Sequence, residues 1–114
     1  MFHGRHLNRR RVENWIVLDL RRLDPMLPGL LVEERRLFGR TAPDPSGLSR
    51  LLLSSQIVNW SIEANTVTTD DLTRWELVGP PGRLDEAQER SLQLHLKEFR
   101  LVRWRQVPLM ELAG

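Results

Sequence analysis

The chain has no cysteine and no tyrosine, one lysine (Lys97) beside sixteen arginines, and no apolar run longer than Trp15 to Leu18. Each absence excludes something. Without cysteine there can be no disulfides, thiolate metal sites, thiol nucleophiles or iron–sulfur clusters. A run of four apolar residues falls far short of the roughly 20 that span a bilayer as a helix. The basic start also lacks the apolar stretch of a secretory signal, so a soluble, intracellular (cytoplasmic) protein with no membrane contact is expected. Neither glycine-rich phosphate motif is present, and Ser54-Ser55 has no elbow glycines around it.

Paired acids occur at Glu33-Glu34, Asp70-Asp71 and Asp85-Glu86. Adjacent side chains point to opposite faces of a strand and diverge by about 100° on a helix, so none of these pairs makes a cooperating acid and base. His3 and His6 are three apart but have no further ligand nearby, so no metal is expected. His95, Arg103 and Arg105 are residue types a metal-free ribonuclease would use, yet no spacing brings them together. The expectation is a protein that is not an enzyme, with no cofactor and no small-molecule substrate.

What the chain does have is opposed charge. The formal net charge is only +2. Residues 1–22 nevertheless hold Arg5, Arg9, Arg10, Arg11, Arg21 and Arg22 against Glu13 and Asp19, whereas residues 63–90 hold seven acids against Arg74, Arg83 and Arg90. A basic head on an acidic body suits an anionic partner or self-association. Arginine gives bidentate contacts to phosphate and carboxylate that lysine does not, although a GC-rich genome produces the same abundance without any role.

At 114 residues, with 40% hydrophobic and 28% charged residues, one packed domain is expected. Residues 1–11 have few apolar anchors and read as a basic flexible arm, leaving 12–114 as a single globular domain. Trp15 to Leu18, extended by Leu20, predicts a strand near 13–21, with a helix on the Val12, Ile16, Leu20, Leu23 stripe as the rival. Asp24-Pro25 and Pro28-Gly29 break it, and residues 30–38 predict the second strand of a long hairpin.

Residues 41–47 are turn chemistry, after which Leu48, Leu51, Leu52, Ser55, Val58 and Ile62 recur at helical spacing; alternation at Val58, Trp60 and Ile62 keeps a strand open. Thr69-Asp70-Asp71 predicts the start of a short helix through Leu72, Trp75 and Val78. Asp85 with Gln88 predicts a capping box opening a helix over 84–99, with Gln88, Leu92, Leu96 and Phe99 inward. Residues 101–107 predict a basic strand ending at Pro108. The fold class is therefore α+β, an N-terminal β-hairpin-like lobe followed by two or three helices and a C-terminal strand, with all-α as the alternative.

Two surfaces stand out as candidate sites. Trp75 and Trp104, flanked by charges, are candidate anchors for a protein partner or a second copy, with Arg9, Arg10 and Arg11 steering association. The alternative is nucleic-acid binding by Arg5, Arg9, Arg10 and Arg11 on phosphates, with Arg103, Trp104 and Arg105 as a second contact.

The stretch from Leu51 to Ile62, followed by Thr66 to Leu72, resembles small tailed-phage tail-module proteins, including tail assembly chaperones. In those proteins a helix ending in V-x-W is followed by a polar turn and a T-x-x-x-L helix start. The resemblance lies within residues 48–75, about a quarter of the chain, and carries no functional residue across. It implies a non-enzymatic assembly or adaptor protein, virion-associated or cytoplasmic.

Overall fold

The computed structural model describes residues 8–41, 43, 46–61, 63–97, 101–108 and 111. In chain order the elements are β1 (Asn8–Leu23), β2 (Leu31–Thr41), β3 (Leu51–Ser61), β4 (Thr66–Thr69), β5 (Thr73–Val78), α1 (Glu86–Leu96) and β6 (Leu101–Gln106). Six strands and one helix account for the regular structure of the described residues, which overturns both the α+β expectation with two or three helices and its all-α alternative. The fold is mostly β, with one short helix among the described residues.

β1 to β5 form a meander in which each strand pairs antiparallel with the next. In an up-and-down meander of odd number the last strand runs in the direction of the first. The barrel therefore closes through a parallel pairing of β5 with β1, from Asn8↔Thr73 to Glu13↔Val78. β1 is long enough to serve twice: its second half runs past the barrel and pairs antiparallel with β6, from Leu18↔Gln106 to Arg22↔Leu101.

A β-bulge divides the two halves of β1. The β1–β2 register shifts between Glu13 and Ile16, and Asn14 takes φ 47°, so Asn14 and Trp15 together oppose Gly39. Gly39 is dictated by this crowding, since a Cβ there would lie 2.6 Å from Val12 Cγ2 and 3.0 Å from Trp15 Cα. The segment after β5 crosses the same spot: Gly82 N–H donates to the Trp15 carbonyl at 2.7 Å, and a Cβ on Gly82 would strike the Asn14 carboxamide.

Two cores result. Val12, Trp15, Val17, Leu37, Val67, Trp75 and Leu77 fill the barrel with Leu52, Ile57 and Trp60. Ile16, Leu18, Leu20 and Phe38 form a second cluster with Leu92 and Leu96 of α1, joined by Leu51, Leu53 and Trp104. β1 is thus buried on both faces, and for that reason Trp15 to Leu18 are continuously apolar rather than alternating.

The hairpin of β1 and β2 is present, as are α1 with its Asp85/Gln88 capping box and a strand over 101–106. Phe99, placed on the inner stripe of that helix, lies outside the described residues.

The helix expected from Leu48 to Ile62 is instead β3, and the reason is visible in its register. Two irregularities interrupt its pairing, one opposite Arg36–Phe38 and one between Ile57 and Asn59. The inward positions therefore fall at Leu52, Ile57 and Trp60, spacings of five and three that break the two-residue period of a strand. The helix expected from Thr69 through Val78 is instead the β4–β5 turn followed by β5. Asp71 accepts the Thr73 N–H at 3.2 Å, the same side-chain-to-backbone bond that caps a helix but here closing a hairpin.

The expected boundary between arm and domain also falls inside β1. Residues 8–11 are strand, paired with β5, while residues 1–7, with His3, Arg5 and His6, lie outside the described residues.

Candidate functional site

The predicted tryptophan anchors are not exposed patches. Trp75 is 2% exposed, facing into the barrel with its indole N–H donating to Thr69 Oγ1 at 3.2 Å. It cannot anchor a partner without opening the barrel. Trp104 is half-buried, its ring packed against the cluster between α1 and β1. Flanking charges do not mark exposure on a strand, because Arg74 and Glu76 point away from the face that Trp75 occupies.

The arginines sort by the same alternation. Arg10 shares Trp75's side of the sheet and lies over its ring, 4.9 Å from the centroid, capping the end of the barrel. Arg9 and Arg11 project outward beside Arg74 and Glu76, their partners in the parallel register, and Arg11 reaches Glu76 at 3.6 Å. These side chains, with Ala64 and Thr66, line an open concavity of about 410 Å³.

The second basic strip, on β6, lies beside the far half of β1 and does not join the first. Arg105 is engaged by Asp19 at 3.1 Å and Glu111 at 2.8 Å. The hydrogen bond to Arg105 outweighs partial desolvation and holds the Glu111 carboxyl below its ordinary value. Arg103 stands opposite Arg21, which bonds Glu33 at 2.8 Å. The two groups of arginines proposed to share one nucleic acid are thus at opposite ends of β1. His95 sits apart from both, edge-on to Phe38 with Nδ1 2.7 Å from the Ser91 carbonyl.

A buried ion-pair triad lies between the helix-facing strands. Glu34, with its side chain 2% exposed, meets Arg22 at 2.7 Å and Arg36 at 3.2 Å, and Arg36 also donates to the Ser54 carbonyl. Among the described residues, no group of three or more His, Asp or Glu side chains is arranged to hold a metal ion. None of their helices is long and apolar enough to cross a membrane.

The surface that residue patterns missed is the tip of the β1–β2 hairpin. Leu23, Met26, Leu27, Leu30 and Leu31 are all exposed there, Met26 by 83%. The tip is nevertheless firmly built. The Asp24 carboxylate accepts the N–H groups of Met26 at 2.7 Å and Leu27 at 3.2 Å, and Asp24 N–H donates to the Leu30 carbonyl at 2.8 Å. Gly29 supplies the left-handed φ of 83° that turns the chain back. The signal was available: Pro25, Pro28 and Gly29 mark a turn, and apolar residues inside a turn have no core to enter. No protein-family model, curated protein or solved structure matches this chain, and its surfaces alone carry the functional reading.

Proposed function

We propose that this protein is a non-enzymatic assembly or adaptor protein whose contact element is the apolar tip of the β1–β2 hairpin, acting in the cytoplasm or in a virion. The carrying observation is the exposure of five large apolar side chains on a turn fixed by Asp24. Holding such side chains in water is unfavourable, and burying each fully against a partner is worth about 1.5–3 kcal/mol before the costs of association. The turn is already ordered, so little conformational entropy is lost on docking.

The strands behind the tip carry the ion pairs Arg21–Glu33 and Arg22–Glu34, which make the flanks of the hairpin polar. An apolar centre with a charged rim is the usual anatomy of a protein interface. The helices implied by the resemblance of residues 51–72 to tail-module proteins are strands here, so the reading rests on the hairpin tip and not on that resemblance.

A photo-crosslinking residue placed at Met26, and at the exposed Leu94 as control, tests this in the native host. A discrete protein adduct formed from position 26 alone, and lost in a Leu27→Ser/Leu30→Ser background, supports the reading. Indistinguishable labelling from positions 26 and 94 overturns it.

A further inference from the structure

At the other end of β1, and independently of the hairpin tip, we propose that the outer face of β1, β5, β4 and β3 binds the phosphodiester backbone of a nucleic acid. Register places the residues. Arg9 pairs with Arg74, Arg74 with Thr68, and Thr68 with Asn59, so four adjacent strands present one row, Asn59–Thr68–Arg74–Arg9. Neighbouring strands lie about 4.8 Å apart, which makes the row about 14 Å long. Every side chain in it can donate a hydrogen bond, and none is acidic.

The adjacent row, two residues along each strand, runs Ser61–Thr66–Glu76–Arg11. Its one acid is already engaged by Arg11 at 3.6 Å. Arg9 and Arg74 are left side by side. Among the described residues no carboxylate lies within ion-pair distance of either. Like charges directly opposite on neighbouring strands destabilise a sheet, and a bound anion removes that cost.

The face is also shaped to receive a ligand. The concavity of about 410 Å³ is lined by four arginines, Arg9, Arg10, Arg11 and Arg74, with Thr66 and the small Ala64, and Glu76 is the one acid in it. Asn65, at φ 54°, exchanges bonds with Leu77 through its carbonyl and its carboxamide and so fixes the backbone between Ala64 and Thr66.

Two features favour phosphate over an acidic protein. Apart from Glu76, which Arg11 engages, the rows hold arginine, threonine, serine and asparagine, the side chains that contact nucleic-acid backbones. They hold no apolar or aromatic side chain, on which protein interfaces depend. The same lack removes any stacking platform for bases, so binding is expected to be independent of sequence.

The test is a fluorescence-anisotropy titration of the full chain with labelled 20-mer single- and double-stranded DNA and RNA from 25 to 200 mM salt. It is run on the natural protein, on Arg9→Gln/Arg74→Gln, and on Met26→Ser/Leu27→Ser, each checked for fold by its thermal melt. Expected are binding with a log–log salt slope of about −1.8 on duplex for two phosphate contacts, a loss of at least about tenfold in the arginine variant, and no change in the tip variant. Three results each overturn the proposal: no binding at 25 mM salt, binding untouched by the arginine substitutions, or polyglutamate competing as well as unlabelled nucleic acid. The hairpin reading stands or falls separately, since neither arginine touches the tip.

Discussion

Arg10 and Trp75 face each other across the parallel junction of β1 and β5, the guanidinium carbon 4.9 Å from the indole centroid. This is where the two ends of the meander meet, and the contact closes the barrel with a cation over an aromatic face. The indole N–H is held from beneath by Thr69 Oγ1, which itself donates to the Asp71 carboxylate. A chain of four residues thus ties the junction to the β4–β5 turn.

Removing Arg10 tests how much the cap contributes. Arg10→Ala is expected to lower stability by about 0.5–1 kcal/mol, the range for an exposed cation–π contact. Trp75→Ala is expected to cost about 3–5 kcal/mol because it empties the barrel. Urea denaturation of the two variants measures both, and equal losses would show that Arg10 matters through more than the ring.

Acid should weaken the same junction through Asp71. Burial raises its carboxyl, but hydrogen bonds led by those from Thr69 and Thr73 outweigh this and hold it below its ordinary value of 3.8. A carboxylate lowered by folding stabilises fully above the unfolded value and loses that contribution as pH falls through the folded one. Melting temperature should therefore be insensitive to Asp71 above about pH 5 and decline below about pH 4. Asp71→Asn should flatten that acid limb in melts from pH 2 to 6.

Gly39 carries the bulge. A methyl group at this position meets Val12 Cγ2 and the backbone of Glu13 and Trp15, so Gly39→Ala should cost about 1–3 kcal/mol by overpacking. Gly47→Ala has open space around its Cβ but a left-handed φ of 84° and should cost about 1 kcal/mol through backbone strain alone. A larger loss at position 47 than at 39 in denaturant titrations would contradict this account of the strand crossing.

Glu34 stands between two guanidiniums with its side chain almost wholly buried. Glu34→Ala should destabilise by about 3–5 kcal/mol because it leaves two partly buried cations facing each other. Replacing Arg22, Glu34 and Arg36 together with apolar residues should restore most of that. Thermal unfolding of the single and triple variants distinguishes an ion cluster that stabilises from one that only needs to stay complete.

The hairpin, the capping box and the final strand were legible because each rests on local chemistry: Pro28-Gly29 at a reversal, Asp85 with Gln88, and alternation before Pro108. β3 was not, because its bulges move Leu52, Ile57 and Trp60 off the two-residue period by which a strand is recognised. Asp71 misled for a different reason, since one side-chain bond to backbone N–H serves a helix start and a tight turn alike. Which face Trp75 occupies depends on its neighbours in register, Arg10 and Val67, and no local pattern reveals strands brought together from such different parts of the chain.

The long first strand also sets a timetable. Its parallel partner β5 begins about 65 residues later in the sequence, so barrel closure depends on contacts of high sequence separation, which slow folding. During synthesis β1 and β2 emerge first and can pair as a hairpin, with both faces of β1 uncovered until β5, α1 and β6 follow. The nascent chain therefore passes through a stage in which Trp15 to Leu18 are exposed on an unpaired edge, and rapid translation or chaperone cover at that stage would favour native folding over aggregation.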